Sequence, residues 1–184
     1  MAKRITHIAF ILLGFWSLQS CFKNLEEPEL INEEELISTV FVTLTNQQNE
    51  TTTLSYQDLD GDGPLEPLIE VSGTLQPNRL YYGKIEALNE TEFPSINMTE
   101  EIVHEGVDHQ FFYTLTGLDA VATPTDLDEN GNVLGTTFTL QTGKISQGTL
   151  QIILRHLPAK PNDGNPDTAG GETDLQVRFS IAIN

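Results

Sequence analysis

Two stretches of the chain set oxygen ligands at regular intervals. Asp58-Leu59-Asp60-Gly61-Asp62-Gly63 carries three carboxylates at alternate positions before a glycine, and Asp126-Leu127-Asp128-Glu129-Asn130-Gly131 repeats the arrangement with an asparagine third. Calcium takes roughly six to eight such oxygens, and the helix-flanked calcium loop of about twelve residues supplies them from alternate positions, with a glycine at the sixth and a closing glutamate at the last. Asp58, Asp60, Asp62 and Gly63 fill the early positions and Glu66 falls at the ninth, but Ile69 stands where the closing glutamate should. In the second loop that place is held by Thr137. Each loop therefore offers part of a calcium shell, Asp58, Asp60, Asp62 and Glu66 in the first and Asp126, Asp128 and Asn130 in the second, and must borrow an oxygen from elsewhere. Turn chemistry accounts for the same residues, because Asp, Asn and Gly accept the backbone geometry of turns and Asn130-Gly131 is a hairpin pair. Both readings stay open.

The histidines offer different chemistry. His104 and His109 bracket the acidic stretch His104-Glu105-Gly106-Val107-Asp108-His109, and His156 ends an apolar run through Leu150, Ile152 and Leu154. Alternation puts His109 on a face with Phe111, Tyr113 and Leu115, and His156 on a face with Leu154, so each stands at the rim of a core face. If the two strands meet, His109 and His156 with Glu105 or Asp108 could hold zinc or copper. Otherwise each caps the packing with a backbone partner. Catalysis has no comparable signal, with neither a Gly-x-Ser-x-Gly elbow nor a His-Glu-x-x-His pair, so a non-enzyme is expected.

The elements that must position these residues begin after the N-terminus. Lys3 and Arg4 precede the apolar run Ile8–Trp16, which is too short for a membrane span and reads as a secretory signal over residues 1–20. It ends in Leu18-Gln19-Ser20-Cys21, which resembles the lipobox of bacterial lipoproteins. That resemblance implies that Cys21, the one cysteine of the chain, is lipidated and anchors the protein to a membrane. Residues 21–37 are rich in glutamate and read as an acidic tether. Phe22 beside the cysteine fits sorting to the outer membrane. Lys23 followed by Glu26 and Glu27 resembles the surface-export signal of Bacteroidetes-type lipoproteins, which would imply exposure on the cell surface.

With 27 acidic against 9 basic residues, the formal charge is −18, and loss of residues 1–20 removes Lys3 and Arg4 but no acid. Such a chain repels nucleic acid and anionic membrane, which argues against both as direct partners, and attracts cations.

Residues 38–184 read as one domain. Val40, Val42 and Leu44, then Tyr81, Gly83, Ile85 and Ala87, then Leu175 through Ile183 alternate with polar neighbours, as half-buried strands do. Further strands are expected over 51–57, 67–75, 109–116, 136–142 and 148–157, with a helix over 98–105 capped by Asn97 or Thr99. The expected fold is all-β, an antiparallel sandwich of about eight strands with one short helix.

Leu75-Gln76-Pro77 with Tyr81, leading into the alternating strand that ends at Ala87, resembles the fibronectin type III signature. The resemblance implies an immunoglobulin-like sandwich in which Tyr81 pins a corner. The upstream tryptophan of that signature is missing, since Trp16 lies in the signal.

Residues 26–184 resemble a family of small Bacteroidetes-type outer-membrane lipoproteins. The likeness is carried by Glu27-Pro28-Glu29-Leu30-Ile31-Asn32-Glu33-Glu34-Glu35, Asp60-Gly61-Asp62-Gly63-Pro64, His109-Gln110-Phe111-Phe112-Tyr113, Leu154-Arg155-His156 and Gly170-Gly171-Glu172-Thr173-Asp174. Family members often bear the label "type 1 periplasmic binding fold", which requires a larger chain of alternating helices and parallel strands. Its sugar-binding function is therefore not carried over. Asp167-Thr168-Ala169 resembles the O-glycosylation site of exported proteins of such bacteria, which would place a glycan on Thr168.

The function expected is a lipid-anchored outer-membrane binding or accessory module, with calcium as the candidate ion. Its expected partners are an outer-membrane nutrient receptor or an extracellular ligand. The alternative is a structural or adhesive envelope protein with no small ligand.

Overall fold

The computed structural model describes residues 35–61 and 63–184. The signal-like run, Cys21, the tether to residue 34 and Asp62 lie outside the described residues. Among the described residues, ten strands and two short helices follow in chain order. They are β1 (Thr39–Asn46), β2 (Thr51–Gln57), β3 (Leu68–Val71), β4 (Leu80–Asn89), β5 (Ile96–Asn97), α1 (Met98–His104), β6 (His109–Thr116), β7 (Ala120–Pro124), β8 (Thr137–Thr142), β9 (Ser146–His156), α2 (Pro166–Ala169) and β10 (Glu172–Ile183).

The strands form two antiparallel sheets. One has the order β3-β2-β1-β4-β8-β7 with β5 added to β4; the other has the order β10-β9-β6. The fold is the all-β sandwich that the alternation predicts. Val40, Val42, Leu44, Tyr81, Ile85 and Ala87 from the first sheet face Phe111, Leu150, Ile152, Leu154, Val177 and Phe179 from the second across one continuous core. Period-two patterning is the cause, since successive side chains of a strand leave on opposite faces. Among the described residues no helix is long and apolar enough to cross a membrane.

The differences from the sequence reading are local. β5 and β7 were not expected: β5 has two residues, and β7 ends in Pro124, a residue that cannot donate to a ladder. Helix α1 lies where expected, with Asn97 as its cap accepting from the Thr99 N–H at 3.1 Å. A second helix, α2, follows Asn165, whose side chain caps it in the same way. It covers the outer face of the three-stranded sheet, where Phe112, Ile153 and Ala169 form a small cluster of their own.

Tyr81 is buried, and its hydroxyl accepts the Gln76 N–H at 2.8 Å, the kind of corner bond that the fibronectin-like signature implies. Tyr81→Phe leaves that backbone donor unmatched and is expected to cost about 1–2 kcal/mol, read as a lower urea midpoint at unchanged m. Gly83 lies opposite Phe138 in the ladder, and a Cβ there would fall 2.4 Å from the phenyl ring. Gly83→Ala should therefore push the ring out of place and lower unfolding free energy by about 2 kcal/mol.

Candidate metal centre

The register of the three-stranded sheet brings the two rim histidines together. His109 opens β6, His156 closes β9, and antiparallel pairing sets them directly opposite one another. Their rings stack with centroids 4.9 Å apart and planes 20° from parallel. β10 runs along the other side of β9, with Glu172 opposite His156. Gly171 just before it has φ 73°, and a Cβ there would fall 2.1 Å from the His156 carbonyl oxygen. Only glycine lets the chain enter so close to that backbone.

The ladder slips between Thr173 and Leu175, so Asp174 is the extra residue of a bulge. Strict alternation would send it outward with Gln176 and Arg178. A bulge re-aims a side chain, and the Asp174 carboxylate is instead fully buried, with Oδ2 3.8 Å from His109 Nε2. A second carboxylate comes from the segment ahead of β1: Glu35 Oε1 lies 2.6 Å from the same nitrogen. Glu35, His109, His156 and Asp174 each present a ligand atom, and all four atoms lie within 4.8 Å of one another. Among the described residues this is the group of histidines and carboxylates whose geometry suits a metal ion.

The acidic partners are thus not those that the sequence suggested. The main chain of Glu105, not its carboxylate, serves the site: its carbonyl lies 3.1 Å from His109 Nδ1. That bond orients the ring and leaves Nε2 facing the carboxylates, as a carbonyl behind a metal-bound imidazole does. Asp108 takes part through its backbone, donating to the Glu105 carbonyl and accepting from Leu157.

The electrostatics are those of a site made for positive charge. Burial raises the cost of ionising Glu35 and is the largest influence on it, yet the close approach and charge of His109 prevail and hold its carboxyl below the ordinary value of 4.5. For His109 burial acts to lower the value, but Glu35, the Glu105 carbonyl and Asp174 together raise it above 6.5. The 2.6 Å contact is nevertheless not aligned as a hydrogen bond, and Glu35 Oε2 is buried without a hydrogen-bond partner. A tetrahedral zinc with bonds of about 2.0–2.1 Å holds its ligand atoms roughly 3.4 Å apart, and the distances of 2.6 and 3.8 Å bracket that value. Two nitrogens and two carboxylate oxygens suit zinc or another divalent first-row metal, and two carboxylates balance its charge.

The acidic loops use their oxygens internally. Asp58 Oδ1 accepts from the Gly61 N–H at 2.9 Å and Oδ2 from the Tyr56 hydroxyl at 3.2 Å, while Asp60 Oδ2 accepts from the Leu65 N–H at 3.2 Å. Glu66 is exposed. In the second loop Asp126 accepts from the backbone N–H groups of Gly135, Thr136 and Thr137 and from the Thr136 hydroxyl. Asp128 Oδ1 accepts from Asn130 and Asn132, and its Oδ2 meets the Lys160 ammonium at 3.1 Å. That ammonium also donates to the carbonyls of Gly106 and His109, so an internal cation already stands beside Asp128. Asn130 is exposed at the turn. Turn chemistry accounts for the short-range bonds of Asp58 to Gly61 and of Asp128 to Asn130 and Asn132, while Asp126 and Lys160 tie the second loop to β8 and to the segment ahead of β6. Thr168 is exposed on α2 with its hydroxyl on Asp163 Oδ1 at 3.0 Å.

Sequence reasoning found the two histidines and missed both acids. Glu35 was hidden in a run of glutamates that reads as tether, and Asp174 has the wrong parity until the bulge is known. The paired glycines at 170 and 171 were the one available sign that the chain passes unusually close to another backbone there. Comparison with family models, curated proteins and solved structures gives no match.

Proposed function

We propose that this protein is a lipid-anchored, non-catalytic module of a bacterial outer membrane that holds one divalent transition-metal ion, zinc by preference, between Glu35, His109, His156 and Asp174. The observation that carries the reading is the convergence of two buried carboxylates and two stacked histidines on one point. Burying two carboxylates against each other is costly unless a cation joins them. Four protein ligands with almost no exposure describe a closed site, the kind that stabilises a fold rather than one that binds a substrate. Lipid anchorage is supported by Leu18-Gln19-Ser20-Cys21, and the acidic surface suits a soluble face turned away from the membrane.

Isothermal titration of the chain from residue 26 with zinc, copper and calcium, with metal analysis of the protein as purified, tests the reading. One equivalent of zinc bound tightly, with Asp174→Asn and His109→Ala each losing it, is the expected result. Silence for all three ions would overturn it and favour the structural or adhesive alternative.

A further inference from the structure

The four ligands are not held alike. His109 and His156 are paired residues of one sheet, and Asp174 sits in a bulge of β10 between the paired residues Thr173 and Leu175. Glu35 precedes β1, and among the described residues the nearest backbone bond that ties its segment to the sandwich is from Ser38 N–H to the Leu88 carbonyl at 3.0 Å. Between them Leu36 is 57% exposed, and Ile37 packs only partly against the core. A cleft of about 380 Å³ runs beside this segment, lined by Leu36, Ile37, Ser38, Tyr56 and Thr91 among others. Among the described residues, the Glu35 carboxylate and the partial packing of Ile37 are what hold residues 35–37 to the sandwich, and the cleft leaves room beside them.

Resting on the metal reading of the site, we infer that Glu35 is a displaceable ligand: the ion enters a three-residue site of His109, His156 and Asp174, and Glu35 then closes over it and clasps residues 35–38 to the sandwich. Two histidines and one carboxylate are a recognised metal-binding set that leaves coordination positions open, so a fourth ligand can arrive after the ion. With Glu35 in place the side chains of the site are nearly inaccessible, 0% for His109 and 3% for Glu35. A buried site needs an entry path. The segment with the fewest ties provides it. Metal loading and attachment of the N-terminal segment are thereby coupled: the loaded protein holds residues 35–38 down more firmly than the empty protein, in which Glu35 rests against His109.

Two measurements on the chain from residue 21 onward, carrying Cys21→Ser, test this. Zinc release into a chromogenic chelator is followed by stopped flow for the wild-type protein and Glu35→Gln, and amide exchange at residues 36–38 is measured with and without zinc. Glu35→Gln should still bind one zinc but release it about ten times faster or more. In the wild-type protein zinc should slow exchange at residues 36–38 by about tenfold, and in the variant it should not. Release within twofold of wild type, or exchange at these amides indifferent to zinc, would overturn the clasp while leaving the metal site standing. If the wild-type chain binds no zinc, the metal reading fails first and the clasp goes with it.

Discussion

Zinc added to the metal-free protein should raise its melting temperature by about 5–10 °C, and His156→Ala should abolish the rise. A ligand that binds only the folded state at about a hundred times its dissociation constant adds roughly 2.7 kcal/mol. In a domain of this size each kcal/mol moves the midpoint by about 2–4 °C. His156 is the ligand to remove because it lies at the end of β9, so its loss deletes a nitrogen donor without interrupting the ladder. Calcium, which prefers all-oxygen shells, should produce little of this shift.

The shift should also depend on pH in a definite sense. His109 is raised above 6.5 by Glu35 and Asp174 against the effect of burial, so its stabilising contribution in the metal-free protein is full below 6.5 and fades as pH climbs through the raised value. Glu35 is lowered below 4.5, so its contribution is full above 4.5 and fades as pH falls through the lowered value. The empty pair therefore helps the fold most between about 4.5 and 6.5. Zinc needs the Nε2 lone pair and competes with the proton for it. The gap between zinc-loaded and empty melting temperatures should widen from pH 5.5 through 6.5 to 7.5 in a fluorimetric melt. A gap that narrows over this range would contradict the ligand assignment.

Asp126→Ala should lower unfolding free energy by about 3 kcal/mol or more, equally with and without calcium. Its carboxylate accepts from three consecutive backbone N–H groups, at 2.9 Å from Gly135, 3.0 Å from Thr136 and 3.1 Å from Thr137. Hydrogen bonds to a charged group contribute about 1.5–3 kcal/mol each when buried. Here the group is partly exposed, so the sum is discounted to little more than one of them. These bonds fix the entrance to β8, where the Tyr113 hydroxyl also donates to the Gly135 carbonyl and Phe138 begins its contact with Tyr113. Asp126→Asn keeps one acceptor and should lose less. Urea midpoints measured in millimolar calcium and in chelator should coincide for wild type and variant alike. A calcium-dependent gain in the wild-type protein that vanishes in Asp126→Ala would restore this loop as an ion site.

Much of the scaffold was legible because its signal is local. The strand over 51–57 and the strand over 109–116 have the bounds that alternation suggested, and Asn97 announces α1 by a capping bond to a residue two places on. Tyr81 was legible for the same reason, since its partner Gln76 is five residues away. β7 was not, because Ala120–Pro124 is short and mixes half-buried with exposed positions. What holds it in the sheet is its pairing with β8.

The candidate site divides along the same line. The sequence alone determined that His109 and His156 stand at strand ends on apolar faces, that Cys21 follows a stretch resembling a lipobox, and that the chain is strongly acidic. Each of these depends on residue type and near neighbours. Only the tertiary structure decided that the two histidines face each other across β6 and β9, that Glu35 turns in from the edge of the tether, and that a bulge swings Asp174 inward. Those placements depend on strand register and on one extra residue in a ladder, and both are set by packing between segments up to 139 residues apart in the chain.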